Sequence, residues 1–179
     1  MMDEEDLHSA AKSGDAAAVA RCLAAGISPE ARDPNGNTPL VRCARYGSLE
    51  AAKALLKGGA AIESANADGL TSLIFAAKEG QLELVQFLLQ AGANKEAKDS
   101  NMSTALLYAS YHGHVEVVRV LLAAGCSKSP VNAFGARSRP ARWQQAALSP
   151  FKHAHSLPRL AGKTAGDLAT PEVRAAGLL

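Results

Sequence analysis

Four groups of residues in this 179-residue chain have the types and spacings that could do chemistry. Gly162-Lys163-Thr164 has the ending of a phosphate-binding loop. Such a loop needs a glycine five residues before Gly162, where Leu157 stands, and a β-strand leading into it. The triplet reads as a helix start. His112-Gly113-His114 and His153-Ala154-His155 carry metal-ligating side chains. A structural zinc site wants four converging ligands, usually with closely spaced cysteines, and Cys22, Cys43 and Cys126 include no CxxC. Cys22 and Cys43 have no histidine and acid arranged as a thiolate nucleophile requires. No paired carboxylates sit in an apolar setting that would split their pKa values. Between Val117 and Gly166 there are eight basic residues and no acidic one, with Trp143 and Phe151 available for stacking on bases. That stretch reads first as a solvated insertion, with nucleic-acid association the remote alternative. The expectation is no catalytic residue, no metal and no cofactor.

Composition narrows the class of protein. Nineteen basic and seventeen acidic residues leave a net charge of +2, too weak a field to draw the molecule to nucleic acid or a membrane. The apolar fraction of 47% is dominated by alanine, and aromatics are only 4%. That balance favours closely packed helices over a β-sandwich or barrel. No apolar run approaches the roughly 20 residues needed to span a bilayer. The start, Met1-Met2-Asp3-Glu4-Glu5-Asp6, is acidic, unlike a secretory or mitochondrial leader. With three unpaired cysteines, the expected setting is a reducing one, cytoplasmic or nuclear.

The elements that must position any functional residue are set by a repeat. Gly14, Gly47, Gly80 and Gly113 are 33 residues apart, as are Gly26, Gly59, Gly92 and Gly125. Leu7, Leu40, Leu73 and Leu106 keep the same step, as do Leu23, Leu56, Leu89 and Leu122, and Thr38, Thr71 and Thr104. Each unit decodes alike. Thr38 supplies an N-cap oxygen and Pro39 fits the first helical position. Leu40, Cys43 and Ala44 fall on one helical face. Gly47 ends the helix in a left-handed turn. Ser48 is placed to cap a second helix with Leu49, Ala52, Leu55 and Leu56 as its buried stripe, and Gly59 stops it. A polar stretch, Glu63 to Gly69, turns back to the next unit. Isolated helices under roughly 12 residues are marginal in water, so the pairs must stack on one another to bury their apolar faces.

This unit resembles the ankyrin repeat over about residues 5–130. The family's Thr-Pro-Leu-His-x-Ala motif is matched by Thr38-Pro39-Leu40-Val41-Arg42-Cys43, Thr71-Ser72-Leu73-Ile74-Phe75-Ala76 and Thr104-Ala105-Leu106-Leu107-Tyr108-Ala109. Gly113-His114-Val115-Glu116-Val117-Val118 and Gly80-Gln81-Leu82-Glu83-Leu84-Val85 match its second-helix element. The motif histidine, which in the family ties helix to loop, is replaced by Val41, Ile74 and Leu107. Either looser loop anchoring or compensation by burial is expected. Met102 stands where Gly36 and Gly69 do, which leaves the third finger's conformation open.

The resemblance implies an all-α solenoid of four helix-turn-helix repeats, at about 5–33, 34–66, 67–99 and 100–132, after an acidic tail at 1–6. A basic, proline-containing insertion at 136–161 is expected to be structureless. It interrupts a degenerate capping repeat at 162–179, in which Gly166 occupies the leucine column. Deleting 27 residues between Gly135 and Gly162 restores the phase. The segment is either a lineage-specific insertion or a retained intron, and these differ in whether every mature transcript carries it.

The resemblance also implies a non-catalytic, monomeric adaptor that binds one or more proteins through turn tips and the exposed faces of first helices. A regulatory or inhibitory subunit that occludes a partner enzyme is the alternative. Carried over by column, the contact positions are Asn35, Asn37, Arg45 and Tyr46, then Asp68, Leu70, Lys78 and Glu79, then Asn101, Ser103, Tyr111 and His112. Pro34, Ala67, Ser100, Lys12 and Ser13 extend the row. Tyr46 and Tyr111 stand out, since aromatics outside a core commonly anchor interfaces.

Overall fold

The computed structural model describes residues 2–127, together with 171, 175 and 176. Eight helices run through 2–127 in four pairs: α1 (Glu4–Ser13) and α2 (Ala16–Ala24), α3 (Pro39–Tyr46) and α4 (Leu49–Lys57), α5 (Ser72–Lys78) and α6 (Leu82–Gln90), α7 (Ala105–His112) and α8 (Val115–Ala123). Among the described residues the one β feature is an isolated bridge between Ala65 and Thr71. The insertion at 136–161, the partial repeat at 162–179, His153, His155 and Trp143 lie outside this description, the three residues 171, 175 and 176 apart.

The helix starts follow the expected caps. The hydroxyl oxygens of Thr38, Thr71 and Thr104 accept from the backbone N–H of Val41, Ile74 and Leu107. Residues 4–6, expected as tail, are instead the first turn of α1. Asp3 accepts from the Asp6 N–H and Asp6 reaches back to the Asp3 N–H, both at 3.0 Å, which closes a capping box. Ser48 does not cap α4: its hydroxyl donates to the Lys12 carbonyl of the preceding unit. Gln81 and His114 occupy the same column, and His114 Nε2 lies 2.9 Å from the Lys78 carbonyl oxygen. Each of these side chains lies against the glycine that ends the first helix of the preceding unit. A Cβ on Gly47 would come within 2.4 Å of the Gln81 side chain, and one on Gly80 within 2.6 Å of the His114 ring.

First helices pack on first helices (α1 on α3, α3 on α5, α5 on α7) and second on second. One apolar core runs the length of the stack through Leu7, Leu40, Leu73, Leu106 and the column Cys22, Leu55, Leu88, Leu121. Ala51, Ala52 and Leu55 form the buried stripe of α4, while Leu49 and Leu56 are half-buried. Alanines let neighbouring helices approach closely, and Ala11, Ala44, Ala52, Ala76 and Ala77 are fully enclosed. No helix among the described residues is long and apolar enough to cross a membrane.

A further column ties successive units together. Glu30 accepts from the Ala61 N–H at 2.8 Å, Glu63 from Asn94 at 2.7 Å and Glu96 from Ser127 at 2.7 Å. Each carboxylate thus satisfies one backbone donor in the following unit. The Ser64 hydroxyl also donates to Glu30.

Two departures from the repeat have energetic consequences. Met102 adopts φ 61°, the left-handed turn that Gly36 and Gly69 adopt, so the third finger keeps its shape on a strained residue. Val41, Ile74 and Leu107 are fully buried, so burial replaces the missing motif histidines. The first unit alone retains a histidine in this column: His8 is 5% exposed and sits beside Asp33, Arg42 and the Ala31 backbone. Burial, with a smaller push from Arg42, holds its pKa below the usual 6.5, against the opposing pull of Asp33, the Ala31 backbone and Glu4.

Met102→Gly should raise stability by about 0.5–1 kcal/mol, read as a higher denaturation midpoint. For His8 the unfolded state binds the proton more tightly, so stability falls as pH drops from 6.5 towards the lowered folded value. Thermal melts between pH 7.5 and 5.5 should therefore show a larger loss for the natural chain than for His8→Leu, which matches Leu107 of the same column.

Candidate functional site

The first two loops, with α3 and α5, line an open groove of about 730 Å³. Its floor and one wall are the first two fingers: Asp33 to Asn37, and Asn66, Ala67, Asp68 and Leu70. The opposite wall comes from Arg45 on α3, Phe75 and Lys78 on α5, and Glu79 at the end of α5. Of the expected contact residues, Asn35, Asn37, Arg45, Asp68, Leu70, Lys78 and Glu79 are brought together there. Tyr46 lies beside Arg45, 43% exposed. Asn101, Ser103, Tyr111 and His112 belong to the last unit and do not line this groove.

Three of these residues are corrected by their burial. Asn37, Leu70 and Ser103 are 6%, 8% and 2% exposed, so they hold the loops and offer little surface to a partner. The Asn37 side chain donates to both oxygens of Asp33 and accepts from the Asn66 side chain at 3.1 Å, linking one finger to the next. The backbone N–H groups of Leu70 and Ser103 donate to Asn66 and Asp99.

Each finger is built around one acceptor side chain in a 33-residue column. Asp33 accepts from the N–H of Asn35 and Asn37, both at 2.9 Å. Asn66 accepts from Asp68 and Leu70, and Asp99 from Asn101 and Ser103. Nine residues on, a first-helix side chain faces the same acceptor. Arg42 pairs with Asp33 at 2.8 Å, and the Tyr108 hydroxyl donates to Asp99 at 2.7 Å. Between them Phe75 has nothing to donate, and there the acceptor is the neutral Asn66. Charge appears at the finger where the helix supplies a donor for the second oxygen, and not where it does not. Burial works to raise the Asp33 carboxyl, but the Asn37 side chain and backbone, Arg42 and Asn35 together outweigh it and hold its pKa down to about 2. Burial and the nearby Asp99 push the Tyr108 hydroxyl up, keeping it a donor.

Sequence reading missed this pairing. The columns 33/66/99 and 42/75/108 carried the signal, visible only when both are followed at the repeat step.

Cations and aromatic rings also pack together on this face, beside the exposed carboxylates of Asp68 and Glu79. Lys12 Nζ and Arg45 Cζ lie 5.4 and 5.7 Å from the Tyr46 ring centroid. Lys78 Nζ lies 5.6 Å from the ring of Phe75 and 5.9 Å from that of Tyr108. His112 meets Tyr111 edge-on at 5.1 Å and stacks on Tyr108 and His114. Burial, then the neighbouring His114 and Lys78, lowers its pKa against a smaller pull from Glu79. Burial raises all three thiols, Cys43 to about 12 and Cys126 to about 11, so they stay protonated at neutral pH. The described residues contain no grouping of three metal-ligating side chains. Chemically, the groove can bind charged and polar groups on a preorganised frame.

Tyr108→Phe should cost about 1–3 kcal/mol, because a hydrogen bond to a charged group is lost. Adding Asp99→Asn should return most of that, since it copies the Asn66–Phe75 pairing. Denaturant titration of the single and double variants measures the coupling.

Against known proteins, no curated protein matches the chain. The family model described as ankyrin repeats (3 copies) matches residues 7–99 and 65–132. That span holds all the helices but the first turn of α1, together with the periodic loops and glycine turns, and the chain belongs to the ankyrin repeat family.

Proposed function

We propose that this chain is a non-catalytic module that binds a partner protein in the groove between its first two fingers and the ends of α3 and α5. Ankyrin repeats are generally protein–protein interaction modules. One observation supports the location: five expected residues that are not buried, Asn35, Arg45, Asp68, Lys78 and Glu79, line a single open groove. The fingers lining it are fixed internally by Asp33 and Asn66, so little ordering cost falls on binding.

The exposed residues Asn35, Arg45, Asp68 and Glu79 then meet the partner, with Lys78 half-buried behind them. Tyr46 supplies a rigid aromatic surface at the edge.

Affinity capture from a cell extract tests this with three baits: the natural chain, Ala67→Trp in the groove and Glu83→Ala on the exposed side of α6. The natural chain and Glu83→Ala should retain the same proteins, and Ala67→Trp should lose them while melting normally. Retention of the same proteins by all three would overturn the assignment.

A further inference from the structure

We propose that the first finger is an acid-opened wall of the groove: a proton on the enclosed His8 ring frees Asp33 to Asn37 from the stack, and a partner held there is released. The opening stands on the finger's own residues. Its effect on a partner rests on the groove being the binding site.

His8 is 5% exposed, and neither of its ring nitrogens has a hydrogen-bond partner among the described residues. Arg42 Nε is likewise buried and unpaired. The charged groups that face the ring are Asp33 from the finger, Arg42 from α3 and Glu4 from its own helix. A neutral imidazole tolerates this enclosure, but a charged one does not without a partner of its own.

The Asp33 carboxylate is already shared. It accepts from the Asn35 and Asn37 N–H groups, from the Asn37 side chain and from Arg42 at 2.8 Å. Those bonds hold its pKa down to about 2, so it stays ionised wherever histidine titrates. With His8 neutral, Asp33 and Arg42 balance. A proton on His8 sets a second cation against one carboxylate, where water screens little. The finger is the part that can yield. Pro34 and Asn35 are exposed and the Arg42 side chain is 25% exposed, whereas Leu7, Ala10 and Ala11 hold α1 in the core. Asn35 and Gly36 line the groove, so their release removes part of its wall.

The third finger has the same frame without the switch. Asp99 accepts from Asn101 and Ser103, and the Tyr108 hydroxyl stands in the place of Arg42. His8 lies 25 residues before Asp33; at that offset from Asn66 and Asp99 stand Val41 and Ile74, which are buried and carry no charge. Of these three positions only the first can titrate.

Backbone amide exchange in the full-length chain, followed by NMR from pH 7.5 to 5.5 and corrected for intrinsic rates, tests this. Asn35, Gly36 and Asn37 should lose protection by up to about tenfold per pH unit below about 6.5. Asn101, Met102 and Ser103 should keep theirs, and His8→Ile, which copies Ile74, should abolish the dependence in the first finger. Parallel loss in both fingers would overturn the inference by making acid sensitivity a property of the whole stack. Protection of Asn35 to Asn37 that persists to pH 5.5, or a fall that survives in His8→Ile, would also overturn it. Proteins captured at pH 7.5 by the natural chain, and lost by Ala67→Trp, should elute at pH 5.5 more readily than from His8→Ile; equal elution would overturn the acid release. Captured proteins that ignore Ala67→Trp would remove the groove reading instead, with the exchange result unaffected.

Discussion

No helix in this stack is long enough to stand alone; the longest has ten residues. Each pair acquires its stability from contact with the pair before and the pair after. Everything else follows from that constraint. Facing helices must come close, so small residues recur where first helices meet, and Gly47 and Gly80 leave room for the Gln81 and His114 side chains of the adjoining unit. The same glycines terminate helices in a left-handed turn, which only glycine adopts cheaply. One residue type thus answers two demands, and the column persists where others drift.

The fold was readable because its determinants are local and recur. A threonine cap, a leucine at the second position of the helix and a glycine at its end specify a hairpin without reference to distant residues. The limits are equally physical. Ser48 has the right chemistry for a cap, yet its hydroxyl turns to the Lys12 carbonyl of the preceding unit. Whether a polar side chain serves its own helix or its neighbour depends on packing that one unit does not contain. The acidic start looks like a solvated tail in composition, but Asp3 and Asp6 close a capping box that begins the first helix.

The contact face was partly readable for a related reason. Column position locates a residue on the concave side but does not give its depth. Asn37, Leu70 and Ser103 are in columns that face the groove, and their burial makes them part of its frame. The exposed members around them are held by the acceptor side chains Asp33, Asn66 and Asp99, whose charge state tracks the helix residue opposite. That matching depends on two positions nine residues apart, so neither shows its purpose by itself. Met102 is the converse case: its identity argues against the left-handed turn, and the surrounding finger imposes it.

The glutamates that bridge successive units give the molecule a mechanical character. Glu30, Glu63 and Glu96 each reach forward to a backbone amide of the next unit, at the same offset every time. Tension applied along the solenoid would load these rungs in series and not in parallel. A stretched molecule would therefore yield unit by unit, in a sawtooth of small steps, each step releasing one carboxylate before the adjoining helices part.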